Sequence, residues 1–197
     1  MNKEIKEQCK VQFVALSEQN GIKHDVNFDE VWEIGEKIQK RREFRDRVVK
    51  LEEEFINGIA MPDEEMAKLN PVKHSFGDGC YVREIFNPAN ELLITKIHKI
   101  EHPFFLMKGK MSILTDNGIE YLEAPHYGIT KPGTKRVIYT HTDCMFVTVH
   151  VTDSTNIKDI EEEVIAKDFN DPAVTAEDVQ LLKDSIMKRI PNKNNKL

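Results

Sequence analysis

Apolar residues divide the chain into a helical beginning, a β-rich centre and a helical end. In the second half of residues 1–60 they recur at three- and four-residue steps, with one gap at the charged centre, which is the spacing of an amphipathic helix with one apolar stripe. Asp25 or Asn27 is a suitable cap for the second of two helices, and Asn57-Gly58 ends it. We therefore predict an N-terminal helical arm broken at Asn20-Gly21. Its stripe is Val31, Ile34, Ile38, Phe44, Val48, Leu51 and Phe55.

The centre of the chain alternates short apolar runs with turn residues. Pro62 and Pro71 lie within residues 61–71, which we interpret as a linker. From residue 72 to residue 152 the runs are evenly spaced, and Asn117-Gly118 is a strong hairpin signal. About eight short strands of this kind are typical of a sandwich or jelly roll. The predicted strands are Tyr81–Phe86, Glu91–Ile97, Phe104–Lys108, Lys110–Leu114, Ile119–Glu123, Tyr127–Ile129, Arg136–His141 and Met145–Val151.

Helical spacing returns after residue 152. Ile160 and Val164 belong to one apolar stripe, and Thr175 is a good N-cap with Asp178 at the third helical position. Pro191 stops the run. We therefore predict C-terminal helices and a frayed tail over residues 153–197.

Composition excludes some function classes. A chain of 197 residues suffices for one core domain with appendages, and 40% hydrophobic with 31% charged residues is ordinary for a soluble protein. The net charge of -6 argues against a nucleic-acid polymer or a membrane as partner.

Cys9, Cys80 and Cys144 form no C-x-x-C pair, so a cytoplasmic location is the simplest expectation. The first residues lack the apolar core of a signal peptide, and no run approaches the ~20 apolar residues of a membrane span.

Two stretches carry a resemblance to a known family. Residues 96–109 read KIHKIEHPFFLMKG, and residues 128–141 read GITKPGTKRVIYTH. They resemble the two motifs of the cupin superfamily, and with their flanks they look like the cupin proteins of tailed phages and prophages. The resemblance covers roughly residues 70 to 168. It implies a mainly β fold, the cupin double-stranded β-helix or jelly-roll barrel, with one pocket between the motifs and, for a phage protein, a location in the host cytoplasm.

The metal ligands that the family motifs imply are only partly present. Cupin motifs usually supply three histidines and a glutamate. Aligned on the motif glycines, those positions hold Lys96, His98, His102 and Arg136. His98 and His102 remain as candidate ligands of a divalent metal, whereas lysine and arginine do not ligate one.

A third metal ligand would have to come from Glu101, His141 or His150. We include His141 in the candidate metal set. Strand alternation that places Arg136 inside turns His141 outward unless a bulge intervenes. His150 lies late on the last strand, and its side is not fixed by the pattern.

The two cations at ligand positions suit a small anionic molecule. Arg136 offers a planar fork to a carboxylate or phosphate, and Lys96 offers a point charge. Arg83 adds positive charge, and Tyr81 and Tyr139 are candidates for stacking on a ring or for hydrogen bonding. Each of these cations has a structural alternative, which is a protein carboxylate such as Glu84, Glu101 or Glu123.

Three functions therefore stay open, and we place a non-catalytic binding module first. It would hold a nucleotide, sugar phosphate or carboxylate, and in a phage it could sequester a host metabolite or signal. The second is a metal-dependent isomerase or dioxygenase, and the third is a structural protein with a vestigial pocket. We expect a homodimer or larger homo-oligomer, because the amphipathic helical arm must bury its stripe.

Overall fold

The fold is described from a computed structural model, which covers residues 3–19, 27–58, 61–176 and 179–180. The chain forms two compact units. One comprises residues 1–41 and 176–197, and the other comprises residues 42–175. No helix in the described ranges is long and apolar enough to cross a membrane.

The first unit contains helix α1 (Lys3–Gln19) and the start of helix α2 (Phe28–Gly58). The Asn27 side chain accepts a hydrogen bond from the Asp29 amide at 3.0 Å, so Asn27, one of the two candidates, caps α2. Asp29 in the first turn of α2 pairs with Lys6 and Lys10 of α1 at 3.0 and 2.7 Å. The predicted break at Asn20-Gly21 lies outside the described residues.

The second unit begins with the C-terminal half of α2, which contacts the β region through buried cations. The ammonium of Lys135 is 2.7 Å from a Glu52 carboxylate oxygen, and the Lys135 side chain is only 5% exposed. The guanidinium of Arg45 lies 4.9 Å from the centre of the Phe169 ring. This part of the predicted arm is therefore integral to the β domain.

The segment predicted as a linker contains a short helix, α3 (Asp63–Leu69). It ends at Asn70, which is 5% exposed. The Asn70 amide nitrogen lies 3.1 Å from Asn87 Oδ1 and 2.7 Å from Glu91 Oε2. These hydrogen bonds fix the chain at the point where it enters the barrel. A mobile linker would not hold it there.

The β region consists of two antiparallel sheets and a two-residue bridge. All eight predicted strands are found, with ends within two residues of those expected, although Glu91–Ile97 is split in two. The first sheet has the order β1-β2-β10-β5-β8, and the second has the order β3-β9-β6-β7. The strands are β1 (Val72–Gly77), β2 (Cys80–Asn87), β3 (Leu92–Ile94), β4 (Ile97–His98), β5 (His102–Lys108), β6 (Lys110–Thr115), β7 (Gly118–Glu123), β8 (His126–Thr130), β9 (Val137–Thr140), β10 (Cys144–Val151) and β11 (Ile165–Ala166).

The strand order is that of a jelly roll. The predicted hairpin joins β6 to β7 with Thr115 opposite Gly118. Strands distant in sequence lie side by side, with β10 between β2 and β5 and β9 between β3 and β6. One apolar cluster joins both sheets, including Leu106 of the first and Met111 and Ile113 of the second. The protein therefore has the cupin-type double-stranded β-helix fold, mainly β, with helices before and after it.

A C-terminal segment packs against one end of the β domain. Helix α4 (Ile157–Val164) begins at Asn156, whose side chain accepts from the Lys158 amide. Ile160 and Val164 are buried in a cluster with Tyr81 of β2. After α4, strand β11 pairs with β4, so the segment is tied to the start of the first cupin-like motif.

The predicted N-cap at Thr175 is wrong. Residues 172–176 are already helical, and Asp171 precedes them. The Asp171 carboxylate accepts a hydrogen bond from the Ala173 amide at 2.9 Å. The cap therefore lies four residues earlier than predicted. Most of the predicted helix that follows lies outside the described residues.

The turn at Gly109 gives a stability prediction. Gly109 has a φ of +94°, and a Cβ there would contact the Asp143 carbonyl oxygen and lie 2.7 Å from Cys144 Sγ. We expect Gly109→Ala to lower the free energy of unfolding by about 3 kcal/mol, because backbone strain adds to a clash with main chain. Gly79, with a φ of +71° and nothing within 4 Å, is the matched control. Gly79→Ala should cost about 1 kcal/mol in urea unfolding, and equal losses would refute the clash.

Candidate functional site

Because side chains alternate along a strand, every second side chain of the first sheet faces into the barrel. On β10 the buried Cys144, Thr148 and His150 share one face. His150 is paired with Tyr81 of β2, and Thr148 is paired with Arg83. His150 and Tyr81 therefore face the interior at the end that carries α4, since Tyr81 is buried together with Ile160 and Val164.

Three histidines meet at this end of the barrel. The ring centres of His98 and His102 are 4.3 Å apart, those of His102 and His150 are 4.2 Å apart, and those of His98 and His150 are 6.0 Å apart. His102 is 3% exposed and His150 is 4% exposed. The cluster joins the first cupin-like motif to the last strand of the barrel. We call it the histidine cluster.

The imidazoles of the histidine cluster are neutral at ordinary pH. Burial, reinforced by the two other imidazoles and by Arg136 and Arg83, lowers the pKa of His98 to about 2. Burial also lowers the pKa of His150 to about 4, with smaller contributions from His102 and Arg83. For His102, burial lowers the pKa more than the Ile100 carbonyl raises it. Both arginines therefore act electrostatically on this cluster.

Each imidazole of the cluster has a buried ring nitrogen without a hydrogen-bond partner: His98 Nδ1, His102 Nε2 and His150 Nδ1. His102 Nδ1 lies 3.0 Å from the Ile100 carbonyl oxygen, so it must carry the proton. In the neutral ring Nε2 is then an acceptor with a free lone pair. Buried polar atoms are rarely left unpaired, so this cluster can accept a further ligand.

Arg136 comes from the other sheet and supplies one of two interior cations. Its Nη1 donates to Thr130 Oγ1 at 3.1 Å, and its guanidinium carbon lies 5.1 Å from the centre of the Phe104 ring. The backbone amide of Arg136 donates to Thr95 Oγ1 at 2.9 Å. Burial lowers the pKa of Arg136, while the charge of Glu120 opposes that change. The cation is thus fixed in place without an ion pair to a described carboxylate.

Arg83 of β2 is the second interior cation. Burial lowers its pKa, and the charges of Tyr81 and Glu161 act in the opposite direction. Within the described ranges its side chain makes neither an ion pair nor a hydrogen bond. Tyr81 beside it is 4% exposed, and its hydroxyl lies 2.6 Å from His74 Nδ1. A half-buried cation without a counter-charge is costly, so Arg83 is suited to pair with an anion that enters the barrel.

Lys96 does not join the pocket. Strand β3 ends at Ile94, so the alternation that predicted Lys96 to point inward does not continue to it. Its side chain is 63% exposed, and its ammonium lies 3.2 Å from a Glu161 carboxylate oxygen of α4. Lys96 therefore pairs with a protein carboxylate and not with a ligand. The carboxylate is that of Glu161, which was not among those expected.

His141 and Tyr139 also lie outside the pocket, on the outer face of the second sheet. His141 is exposed, and its Nε2 is 2.7 Å from Ser112 Oγ. The hydroxyl of Tyr139 donates to Asn90 Oδ1 at 3.1 Å. The place expected for His141 beside His98 and His102 is taken by His150. To identify His150 from the sequence, one would have to know which face of β10 points inward, and sequence alternation did not fix that face.

The residue types in the cluster suit a divalent metal, but their placement does not assemble a site. Neutral imidazoles with free lone pairs are metal ligands. Glu101 is committed elsewhere, in an ion pair with Lys131. Across the described ranges, no three His, Cys, Asp or Glu residues are positioned to hold a metal ion.

Comparisons with known proteins find only a distant structural likeness. No family model matches the chain, and no curated protein matches it. Among solved structures, an acetylacetone dioxygenase from Acinetobacter johnsonii is 17% identical with a TM-score of 0.37, covering 47% of this chain and 66% of that one. A DMSP lyase from Ruegeria pomeroyi is 14% identical with a TM-score of 0.41, covering 51% of this chain and 55% of that one.

A cupin-2 domain protein from Shewanella frigidimarina is 9% identical with a TM-score of 0.36, and the match covers 50% of this chain and 99% of that one. The chain thus spans just under two thirds of the dioxygenase and about half of the lyase. At these identities and TM-scores the likeness indicates no activity. The fold assignment rests on the strand order itself.

Proposed function

We propose that the barrel is a binding site for a small anion, held between Arg83 and Arg136. The observation that carries this proposal is the pair of inward guanidinium groups, one from each sheet, neither of which has an ion-pair partner among the described residues. A phosphate or carboxylate would supply that partner through charge-assisted hydrogen bonds. The protein would then act as a binding module and not as a catalyst.

The histidine cluster indicates which other groups the proposed ligand carries. His102 Nε2 is a hydrogen-bond acceptor, and Nδ1 of His98 and of His150 are acceptors in the tautomer that carries the proton on Nε2; none of these nitrogens is charged, because the imidazoles are neutral. Hydroxyl or amine groups of a ligand would donate to them, while its anionic group contacts the arginines. A sugar phosphate, a nucleotide or a hydroxy acid has both kinds of group. We favour these classes over a simple inorganic anion.

A ligand panel tests this proposal. We expect ribose 5-phosphate, AMP or citrate to raise the midpoint of thermal unfolding of the full chain. A ligand present at about 100 times its dissociation constant adds about 2.7 kcal/mol to the free energy of unfolding. Neutral ribose is the control that lacks the anionic group. If none of the anions at millimolar concentration shifts the midpoint more than ribose does, the proposal is wrong.

A metal-dependent enzyme is the second candidate, and the unpartnered nitrogens of the histidine cluster are the observation that favours it. His98, His102 and His150 would be its ligands, although as placed they do not form a metal site, and the ion would act as a Lewis acid. The nearby charges of Arg83 and Arg136 oppose a cation there. Elemental analysis of protein purified without chelator separates the candidates. About one transition metal per chain would support the enzyme, and less than about a tenth would reject it.

A further inference from the structure

The two interior arginines enter the pocket from separate places. Arg83 of β2 lies opposite Thr148 of β10, and Thr148 lies opposite Phe104 of β5. Neighbouring strands are about 4.8 Å apart, so the backbones of Arg83 and Phe104 are about 10 Å apart. The guanidinium carbon of Arg136 lies 5.1 Å from the centre of the Phe104 ring, and its Nη1 donates to Thr130 of β8, one strand farther from β2. The two cations therefore lie on different sides of the pocket.

The histidine cluster lies between the two guanidinium groups. Burial is the main cause of the low pKa values of its imidazoles, and each arginine adds to the effect at a different place. The charge of Arg83 lowers the pKa of His150 further. The charge of Arg136 does the same at His102. His98 is within electrostatic reach of both arginines, whose charges lower its pKa together.

A single anionic group satisfies only one of these cations. A carboxylate uses both of its oxygens in the bidentate pair that a guanidinium favours. The other guanidinium is half-buried on the far side of the histidine cluster, and it would stay without a counter-charge, which is costly. Two anionic groups, one for each arginine, compensate both charges. The ligand that fits this arrangement is therefore charged at both ends.

The charges favour a carboxylate at each end and a neutral middle. Two carboxylates carry a charge of about -2 at pH 7, which matches two guanidinium groups. Phosphate monoesters carry about -1.5 to -2 each, so two of them would exceed the positive charge. Between the ends the uncharged imidazoles offer no counter-charge, and His102 Nε2 is a buried acceptor without a partner. The middle of the ligand is therefore uncharged and carries a hydrogen-bond donor such as a hydroxyl.

We propose that the barrel binds hydroxydicarboxylates, with one carboxylate on Arg83, the other on Arg136 and the hydroxyl donating to His102 Nε2. This inference rests on the proposed function, because it takes the barrel to be an anion site, and it narrows the ligand to one class. A molecule with a single anionic group, such as AMP, then occupies part of the site and binds more weakly.

Ligands that differ by one group test this proposal. The diacids are malate, 3-hydroxyglutarate and 3-hydroxyadipate, whose carboxylates are separated by increasing distances. The monomethyl ester of each keeps the chain and the hydroxyl but neutralises one carboxylate. For the diacid that fits best, isothermal titration calorimetry of the full chain should give a Kd about 100-fold lower than that of its monomethyl ester. The same diacid without its hydroxyl should bind about tenfold more weakly.

The variant Arg83→Met tests where the second carboxylate lies. In this variant the diacid and its monomethyl ester should bind with nearly equal affinity, because one of the two cations is gone. Lys96→Met removes an exposed cation instead, so it is the matched control and should keep the wild-type ratio. Far-UV circular dichroism checks that both variants fold. The comparison of diacid and ester on the wild type decides the proposal even if Arg83→Met does not fold.

The outcomes separate this inference from the proposed function. A monomethyl ester that binds the wild type as tightly as its diacid overturns the inference, as does an Arg83→Met variant that keeps the wild-type ratio. Equal binding with and without the hydroxyl overturns the role of His102. If ribose 5-phosphate or AMP binds and no diacid does, the inference is wrong and the proposed function stands. If none of these anions binds, the proposed function is wrong as well.

Discussion

Acid should unfold this protein well before most of its carboxylates are protonated. Between pH 6.5 and pH 4 we expect the free energy of unfolding to fall by on the order of 5 kcal/mol, because His98 and His150 stay neutral in the folded state. Their pKa values in the fold are about 2 and about 4, against about 6.5 in the unfolded chain. Below pH 6.5 the unfolded chain therefore binds protons that the folded state does not take up. Stability is full above pH 6.5 and is lost as the pH falls.

Urea unfolding at half-unit pH steps, in the presence of a chelator, measures this loss. His150→Phe removes one titrating group from the histidine cluster and should flatten the curve between pH 6 and pH 4. His141→Phe is the control, since His141 is exposed on the outer face of the second sheet. A wild-type curve that is level from pH 7 to pH 5 would show that these imidazoles are not buried as neutral groups.

Turn chemistry explains why the barrel strands were predictable. Asn117-Gly118 and the glycines at Gly109 and Gly133 require special backbone geometry, and all three glycines have positive φ in the structure. Strand β1 was missed because its sequence VKHSFG lies on a sheet edge and is almost wholly exposed, so no apolar alternation marks it. The same lack of pattern applies to the two-residue strand β11.

The site was only partly predictable, because inward orientation depends on where strands end. Counting from the motif glycines gave His98, His102 and Arg136, which meet inside the barrel. Lys96 was misplaced because alternation was carried past the end of β3 at Ile94. The third member of the cluster, His150, was one of three alternatives whose side the pattern left open; it faces inward through the register of β10 with β2, a pairing of segments about seventy residues apart. Long-range pairing of that kind leaves no local trace in a sequence.

Loss of the Arg136 guanidinium should weaken anion binding by the barrel about 100-fold. We expect Arg136→Met to raise the dissociation constant for whichever panel anion binds by about 100-fold, since truncating one member of a buried charged pair costs about 2–5 kcal/mol. Methionine keeps most of the packing on Phe104 that the arginine side chain makes. Isothermal titration calorimetry of the full chain measures the change. Lys96→Met is the matched control, because it removes the same charge from an exposed position.

The stability of the free protein distinguishes a binding residue from a structural one. Without a ligand Arg136 is a half-buried cation with no described carboxylate partner, so its removal should leave the free energy of unfolding unchanged or raise it by about 1 kcal/mol. A residue that serves the fold would instead lower it. Weak binding together with undiminished stability would therefore assign Arg136 to a ligand. A destabilised Arg136→Met variant would contradict the assignment, because the cation would then serve the fold. An equal loss of binding with Lys96→Met would also contradict it, because the effect would then be one of net charge.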